Sequence, residues 1–142
     1  MDGFSINWLA VVAAALAGFV IGGVWYSPML IGNLWMEEAG VTQEQIDGGN
    51  KARIFGLAFV SLLIMSYCLA MFIGPTTEVS EGFFSPSQQG AFYGFLCGAG
   101  WLFFAFVVVG LFEYRSWKYM AINGGYWIVT MTAMGGILGA WS

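Results

Sequence analysis

Four stretches of this chain, each about the length of a bilayer crossing, contain no Asp, Glu, Lys or Arg. They run Asn7 to Tyr26, Ile54 to Ile73, Gly90 to Phe112 and Tyr119 to Trp141. A helix needs ~20 mostly apolar residues to cross ~30 Å of hydrocarbon, and each stretch meets that length. The runs are continuous rather than alternating, which excludes the strands of a membrane barrel. The expected fold is therefore all-α: an integral membrane four-helix bundle forming a single domain over residues 1–142, with a short interfacial helix after the first span.

Composition agrees. Only 8% of the residues are charged and 59% are hydrophobic, whereas a soluble domain is ~25% charged. This excludes a soluble enzyme and a disordered tail. Four Lys and Arg against eight Asp and Glu exclude a nucleic-acid binder, which needs a basic face. The first run carries Asp2 where a signal peptide has a positive n-region, and it ends in bulky Trp25 and Tyr26. It is read as a retained span.

The basic residues set the expected orientation. Lys51 and Arg53 precede the second span, and Arg115 and Lys118 lie between the third and fourth. The opposite side holds Asp2, Glu78 and Glu81 and no Lys or Arg. Loops one and three are therefore expected in the cytoplasm, with both termini outside. In loop one, Ser27-Pro28 reads as a helix start and Gly40 as its end. Met29, Leu30, Leu34 and Trp35 then form an apolar stripe, with Glu37 and Glu38 at the far end. Thr42 to Gln45 is a capping-box start, broken by Gly48-Gly49-Asn50. The segment from Gly74 to Gln89 reads as a turn-rich outer loop, with Phe83 and Phe84 dipping into the interface.

Membrane helices associate by close packing and hydrogen bonds, so small residues four apart mark contact faces. Gly18 and Gly22 form one such face. Gly90, Gly94 and Gly98 form a second, and Gly135 and Gly139 a third. They serve packing within the bundle, or, sharpest on span three, contact with another chain. The motif Gly18-Phe19-x-x-Gly22-x-x-Trp25 echoes Gly94-Phe95-x-x-Gly98-x-x-Trp101, as a two-plus-two repeat would. Trp8, Trp141, Trp25, Tyr26, Trp117 and Tyr119 sit where an interfacial aromatic belt belongs. Deeper polar groups, Asn123, Tyr126 and Thr130, are either interhelical hydrogen-bonding partners or the lining of a solute path.

Chemistry is sparse. The chain has no histidine, hence no imidazole base and no common metal ligand of that type. Cys68 and Cys97 lie in apolar runs and read as small buried hydrophobes. No nucleophile–base pair, phosphate loop or metal spacing is present, and no ionisable residue lies within a span, as ion-coupled transport usually requires. Glu113 is read as a wet interfacial partner of Arg115. No enzyme activity and no cofactor is expected.

The opening Asn7-Trp8-Leu9-Ala10, then Trp25-Tyr26-Ser27-Pro28 with Gly32, Trp35 and Met36, resembles the uncharacterised membrane proteins grouped as domain of unknown function 1761. The ending strengthens the likeness with Asn123-Gly124-Gly125-Tyr126-Trp127 and Met134-Gly135-Gly136-Ile137-Leu138-Gly139-Ala140-Trp141. The resemblance implies a small four-span protein of a bacterial inner membrane, and it implies no activity and no site residues. Two functions follow as expectations. The first is a non-catalytic oligomerising or accessory subunit of a membrane complex, whose partners are the bilayer and itself or another membrane protein. The second is a small channel or permease for an uncharged or weakly hydrated solute.

Overall fold

The computed structural model describes residues 6–27, 30–79 and 85–141. Among these residues seven α-helices follow one another: α1 (Trp8–Trp25), α2 (Gly32–Ala39), α3 (Gln43–Gly48), α4 (Lys51–Val79), α5 (Pro86–Leu96), α6 (Phe103–Phe112) and α7 (Trp117–Ala140). A stretch of π-helix, Cys97–Leu102, joins α5 to α6 without a break. There is no strand among the described residues. Among the described residues three helical stretches are long and apolar enough to cross a membrane: Trp8–Trp25, Lys51–Ile73 and Pro86–Phe112. Helix α7 has 24 residues, a length of about 36 Å, but Lys118, Asn123, Thr130, Thr132 and its glycines make it the more polar helix.

That polar helix is the best shielded. It packs on α1, on α4 and along the whole of α5, the π-helical stretch and α6. Eleven of its residues are buried, from Met120 to Gly139. Between its ends, Val129 is its one exposed large apolar residue, whereas α1 exposes Leu9, Val12, Leu16, Val20 and Val24. On α4, Ile54, Phe55, Leu57, Val60 and Ile64 point outward, and on α6 Phe104, Val108, Val109 and Leu111 do the same. Apolar surface on this scale is abnormal for a water-soluble monomer and normal for helices facing lipid. The core consists of Ala10, Val11, Ala14 and Ala15 of α1, Leu62, Leu69, Ala70 and Ile73 of α4, and Met131, Met134 and Leu138 of α7.

The α5–α7 contact is backbone against backbone. A Cβ added at Gly90 would overlap the Gly135 carbonyl oxygen, one at Gly94 the Met131 oxygen, and one at Gly139 the Pro86 oxygen. At Gly98 it would stand 2.7 Å from the Trp127 oxygen. Ser87 Oγ adds a hydrogen bond to the Gly136 oxygen at 3.1 Å. The opposite seam is set by side chains. Ser66 Oγ donates to the Val11 oxygen at 2.8 Å across α4–α1, and Phe19 meets Phe55 and Phe59 edge-on.

Helix ends follow local rules where the cap residues are present. Asn7, Thr42, Ser85 and Ser116 each accept a hydrogen bond from a first-turn amide, and Thr42 and Ser85 form capping boxes with Gln45 and Gln88. Gly40 ends α2 with a left-handed φ of 71°, the conformation in which glycine avoids a Cβ penalty. The start of α2 differs from the expectation. It lies at Gly32, with Ile31 as its N-cap, because Ser27 closes the preceding turn instead. Its Oγ donates to Val24 O and its carbonyl receives the Gly32 amide. Gly32 is required there, since a Cβ would collide with the Tyr26 and Ser27 carbonyls. Pro28 and Met29 lie outside the described residues, as do Asp2, Phe83 and Phe84.

The outer loop is also shorter than the turn residues imply. Helix α4 continues through Gly74 and Pro75 to Val79, and α5 begins at Pro86. A proline deletes one backbone hydrogen bond and can bend a helix without ending it. Cys68 is exposed and Cys97 half-buried, both free, which corrects the reading of two buried hydrophobes. Cys97 still packs against the core, whereas Cys68 faces outward.

The Gly94 contact gives a direct test. Gly94→Ala is expected to lower the thermal stability of the detergent-solubilised protein by about 1–3 kcal/mol, the usual range for overpacking. Gly100→Ala, whose new methyl would meet nothing within 4 Å, is expected to stay within about 0.5 kcal/mol of the parent.

Candidate functional site

Asn123, Tyr126 and Thr130 are spaced three and four apart on α7, so they share one face. The structure turns that face onto α1. Asn123 Oδ1 accepts from the Tyr26 hydroxyl at 2.7 Å, and its Nδ2 donates to the Tyr119 carbonyl at 3.2 Å. The Tyr126 hydroxyl donates to the Gly18 carbonyl at 2.9 Å. One turn nearer the α2 end, Trp25 Nε1 donates to the Ile122 carbonyl at 3.0 Å. The rings of Tyr26 and Tyr126 lie 5.5 Å apart, and Trp35 of α2 closes on Tyr26 edge-first at 5.2 Å. The result is an aromatic and amide cluster, buried at Asn123 and Tyr126 and half-buried at Trp25, Tyr26 and Trp35, built from the end of α1, the middle of α2 and the first half of α7.

Gly18 and Gly22 belong to this cluster. A Cβ at Gly22 would sit 3.1 Å from the Tyr126 oxygen, and one at Gly18 would sit 3.1 Å from both Thr130 Cγ2 and Leu62 Cδ2. These glycines admit the α7 side chains, while Gly90, Gly94 and Gly98 admit the α7 backbone with Gly135 and Gly139. All seven glycines singled out in the sequence therefore meet α7 or are part of it. The glycine face on the α5–π-helix stretch packs against α7 within the chain, which is the first of its two readings.

Thr130 is fully buried beside the Tyr126 phenol, and its Oγ1 is the buried side-chain oxygen that lacks a hydrogen bond among the described residues. Two further hydroxyls of the long helices take no part in the cluster. Thr132 bonds Ile128 O, and Ser61 bonds Leu57 O, each within its own helix.

Two residues of the cluster were read differently from the sequence. Trp25 and Tyr26 sit at a span end, where belt anchors are expected, yet both direct their polar atoms into α7. The signal that separates the readings is the α7 composition: Asn123 has to find a partner on a neighbouring helix, and Tyr26 is level with it. The glycine echo between spans one and three also ends here. Gly18 and Gly94 both face α7, but Trp25 turns to α7 while Trp101 stays exposed. The π-helical stretch, with its wider turn, lies between Gly94 and Trp101 and breaks the match.

The model of the family described as "Protein of unknown function (DUF1761)" matches residues 9–139. The chain belongs to that family. Comparison with curated proteins and with solved structures gives no match. Family membership names no activity, so the chemistry of the cluster has to come from its own atoms.

Beyond the cluster, the charged residues gather at the end of the bundle where α2 meets the α6–α7 turn. Arg115 pairs with Glu113 at 3.6 Å in solvent, lies 5.1 Å above the Tyr119 ring, and reaches the Ala39 carbonyl at 3.5 Å. Ser116 Oγ donates to Glu38. Exposed ion pairs stabilise little, so these contacts act mainly to hold α2 against the turn. Glu38, half-buried, is thereby a docking residue for α2, and Glu37 beside it is exposed. Among the described residues no three His, Cys, Asp or Glu side chains cluster as metal ligands.

Tyr126→Phe removes one interhelical hydrogen bond and is expected to destabilise by about 0.6 kcal/mol, the average for such bonds in a membrane protein, and by no more than about 1.7 kcal/mol. Asn123→Ala strands the Tyr26 hydroxyl, and adding Tyr26→Phe is expected to restore part of the loss. A thermal-unfolding double-mutant cycle in detergent reads both effects.

Proposed function

We propose that this family member is a four-span integral protein of a cytoplasmic membrane, with α7 as the fourth crossing. In this reading the chain ends preceding α1 and following α7 lie outside, and the loops carrying Lys51, Arg53, Arg115 and Lys118 face the cytoplasm. Its role is that of a non-catalytic subunit, acting through the surface it offers to lipid and to other membrane proteins. The observation that carries this reading is the inward turn of the polar groups. Asn123, Tyr126, Tyr26, Trp25 and Ser66 are all bonded to a neighbouring helix, and the outward faces of α1, α4 and α6 are apolar. Such a surface supports binding in the bilayer rather than reaction.

Native mass spectrometry after gentle extraction from the source membrane tests the role. A reproducible complex with other polypeptides is the expected result, and a chain without companions across mild detergents would sink it. Cysteine-scanning accessibility tests the topology: a cysteine replacing Lys118 is expected to react only after the cytoplasmic side is exposed.

The Thr130 hydroxyl, buried without a hydrogen bond among the described residues, favours a second reading, a narrow path for an uncharged or weakly hydrated solute along Asn123, Tyr126 and Thr130. Flux into liposomes that falls in Asn123→Ala, with folding retained, is its expected signature. Absence of flux for small neutral solutes would remove it.

A further inference from the structure

Helices α4 and α5 are more loosely joined than α5 and α7, and between them lies a cavity of about 420 Å³ lined by Leu69, Phe72, Tyr93, Leu96, Cys97 and Trp101. The π-helical stretch supplies two of these residues, Cys97 and Trp101, and π-bulges inside helices recur at functional sites. Apart from the Tyr93 hydroxyl, the Cys97 thiol and the Trp101 indole N–H, these side chains are hydrocarbon and aromatic carbon.

Three features define what this groove accepts. Its volume falls in the ~300–1,000 Å³ range of small-ligand sites, whereas a stable protein interface buries ~1,200–2,000 Å² in total and needs a far wider surface. Close docking of a second helix in lipid needs small residues, but Gly90, Gly94, Gly98, Gly135 and Gly139 are already closed on one another's helices. The groove walls instead carry Leu, Phe, Tyr and Trp, which hold a rigid helix away and leave room for a slender, flexible chain. Finally, the lining runs along the helix axis. Tyr93 to Trp101 spans about 12 Å at a helical rise, comparable to the ~15 Å depth of one leaflet, half of a ~30 Å hydrocarbon core.

We propose that the groove between α4 and the α5–π-helix segment is a binding site for one acyl chain of a membrane phospholipid. The inference rests on α4 and the α5–α6 stretch crossing the bilayer, as proposed above. The bound chain fills the space that the π-helical turn leaves beside Cys97, and Trp101 borders it.

Native mass spectrometry of the detergent-purified chain, washed with a delipidating detergent, tests the site. The wild-type chain is expected to keep one phospholipid per polypeptide. Leu96→Trp, which fills the groove from a half-exposed wall position, is expected to keep none, and Leu111→Trp, exposed elsewhere on α6, is expected to keep one. Leu96→Phe serves if the larger substitution disturbs folding, judged by gel filtration. A lipid-free wild type, or equal retention in the Leu96 variants, would overturn the proposal. So would a dimer that dissociates on Leu96→Trp, which assigns the groove to a second copy, or a retained non-lipid mass. Extraction by carbonate without detergent would instead refute the membrane reading itself, so the two failures are distinguishable.

Discussion

In the four-span reading proposed above, no water is available to a stranded polar group inside the bilayer, and that constraint accounts for the arrangement around α7. Among the four long helices, α7 holds the groups hydrocarbon tolerates least: Asn123, Thr130, Thr132 and five glycines with their thinly covered backbone. The fold places it against all three of the more apolar stretches. Each neighbour satisfies it differently. The α5–π–α6 stretch offers backbone at van der Waals distance, α1 offers carbonyl oxygens and the Tyr26 hydroxyl, and α4 closes the remaining side with Leu62, Leu69 and Ile73. The apolar excess then faces outward, where lipid accepts it.

Two kinds of adhesion hold this arrangement, and they respond differently to change. The α5–α7 seam is steric: its glycines make no strong bond, but they let two backbones approach so that dispersion acts over a long contact. An added methyl at Gly90, Gly94 or Gly139 would force the backbones apart. The α1–α7 seam is polar and aromatic, resting on Tyr26, Tyr126, Asn123 and Trp25. Hydrogen bonds there are individually worth little, since the separated helices also find partners in the membrane. Their value lies in register, because Tyr126 reaches the Gly18 carbonyl and Trp25 the Ile122 carbonyl only at one sliding position of the helices.

Much of this was legible in the sequence because bilayer physics is coarse. Run length and the absence of charge located the long helices; Thr42 and Gln45 announced α3 by chemistry local to one turn. The small-residue spacing marked the packing faces, though not their partners, because a glycine stripe specifies closeness and not which helix supplies it. Trp25 and Tyr26 were misread for a related reason: an aromatic residue at a span end is identical in sequence whether its tip meets headgroups or Asn123. The extension of α4 past Gly74-Pro75 escaped notice because turn propensity is weak beside the continuity of a long helix. The π-helical insertion at Cys97–Leu102 had no local signature beyond Gly98 and Gly100.

That insertion changes how the chain meets its surroundings. A regular α-helix from Gly90 to Phe112 would hold one stripe against α7 and turn every other residue to lipid in a fixed sequence. The wider turn lets Gly90, Gly94 and Gly98 stay on α7 and then resets the register, so that Phe103 reaches Gly124 and Gly110 reaches Met120. The same reset leaves Trp101 projecting from a helix that is otherwise pressed close to its neighbour. The α7 contact and the opening beside α4 are thus two consequences of one backbone irregularity: span three keeps its grip on the polar helix over its full length, and the slack this requires appears on the opposite face.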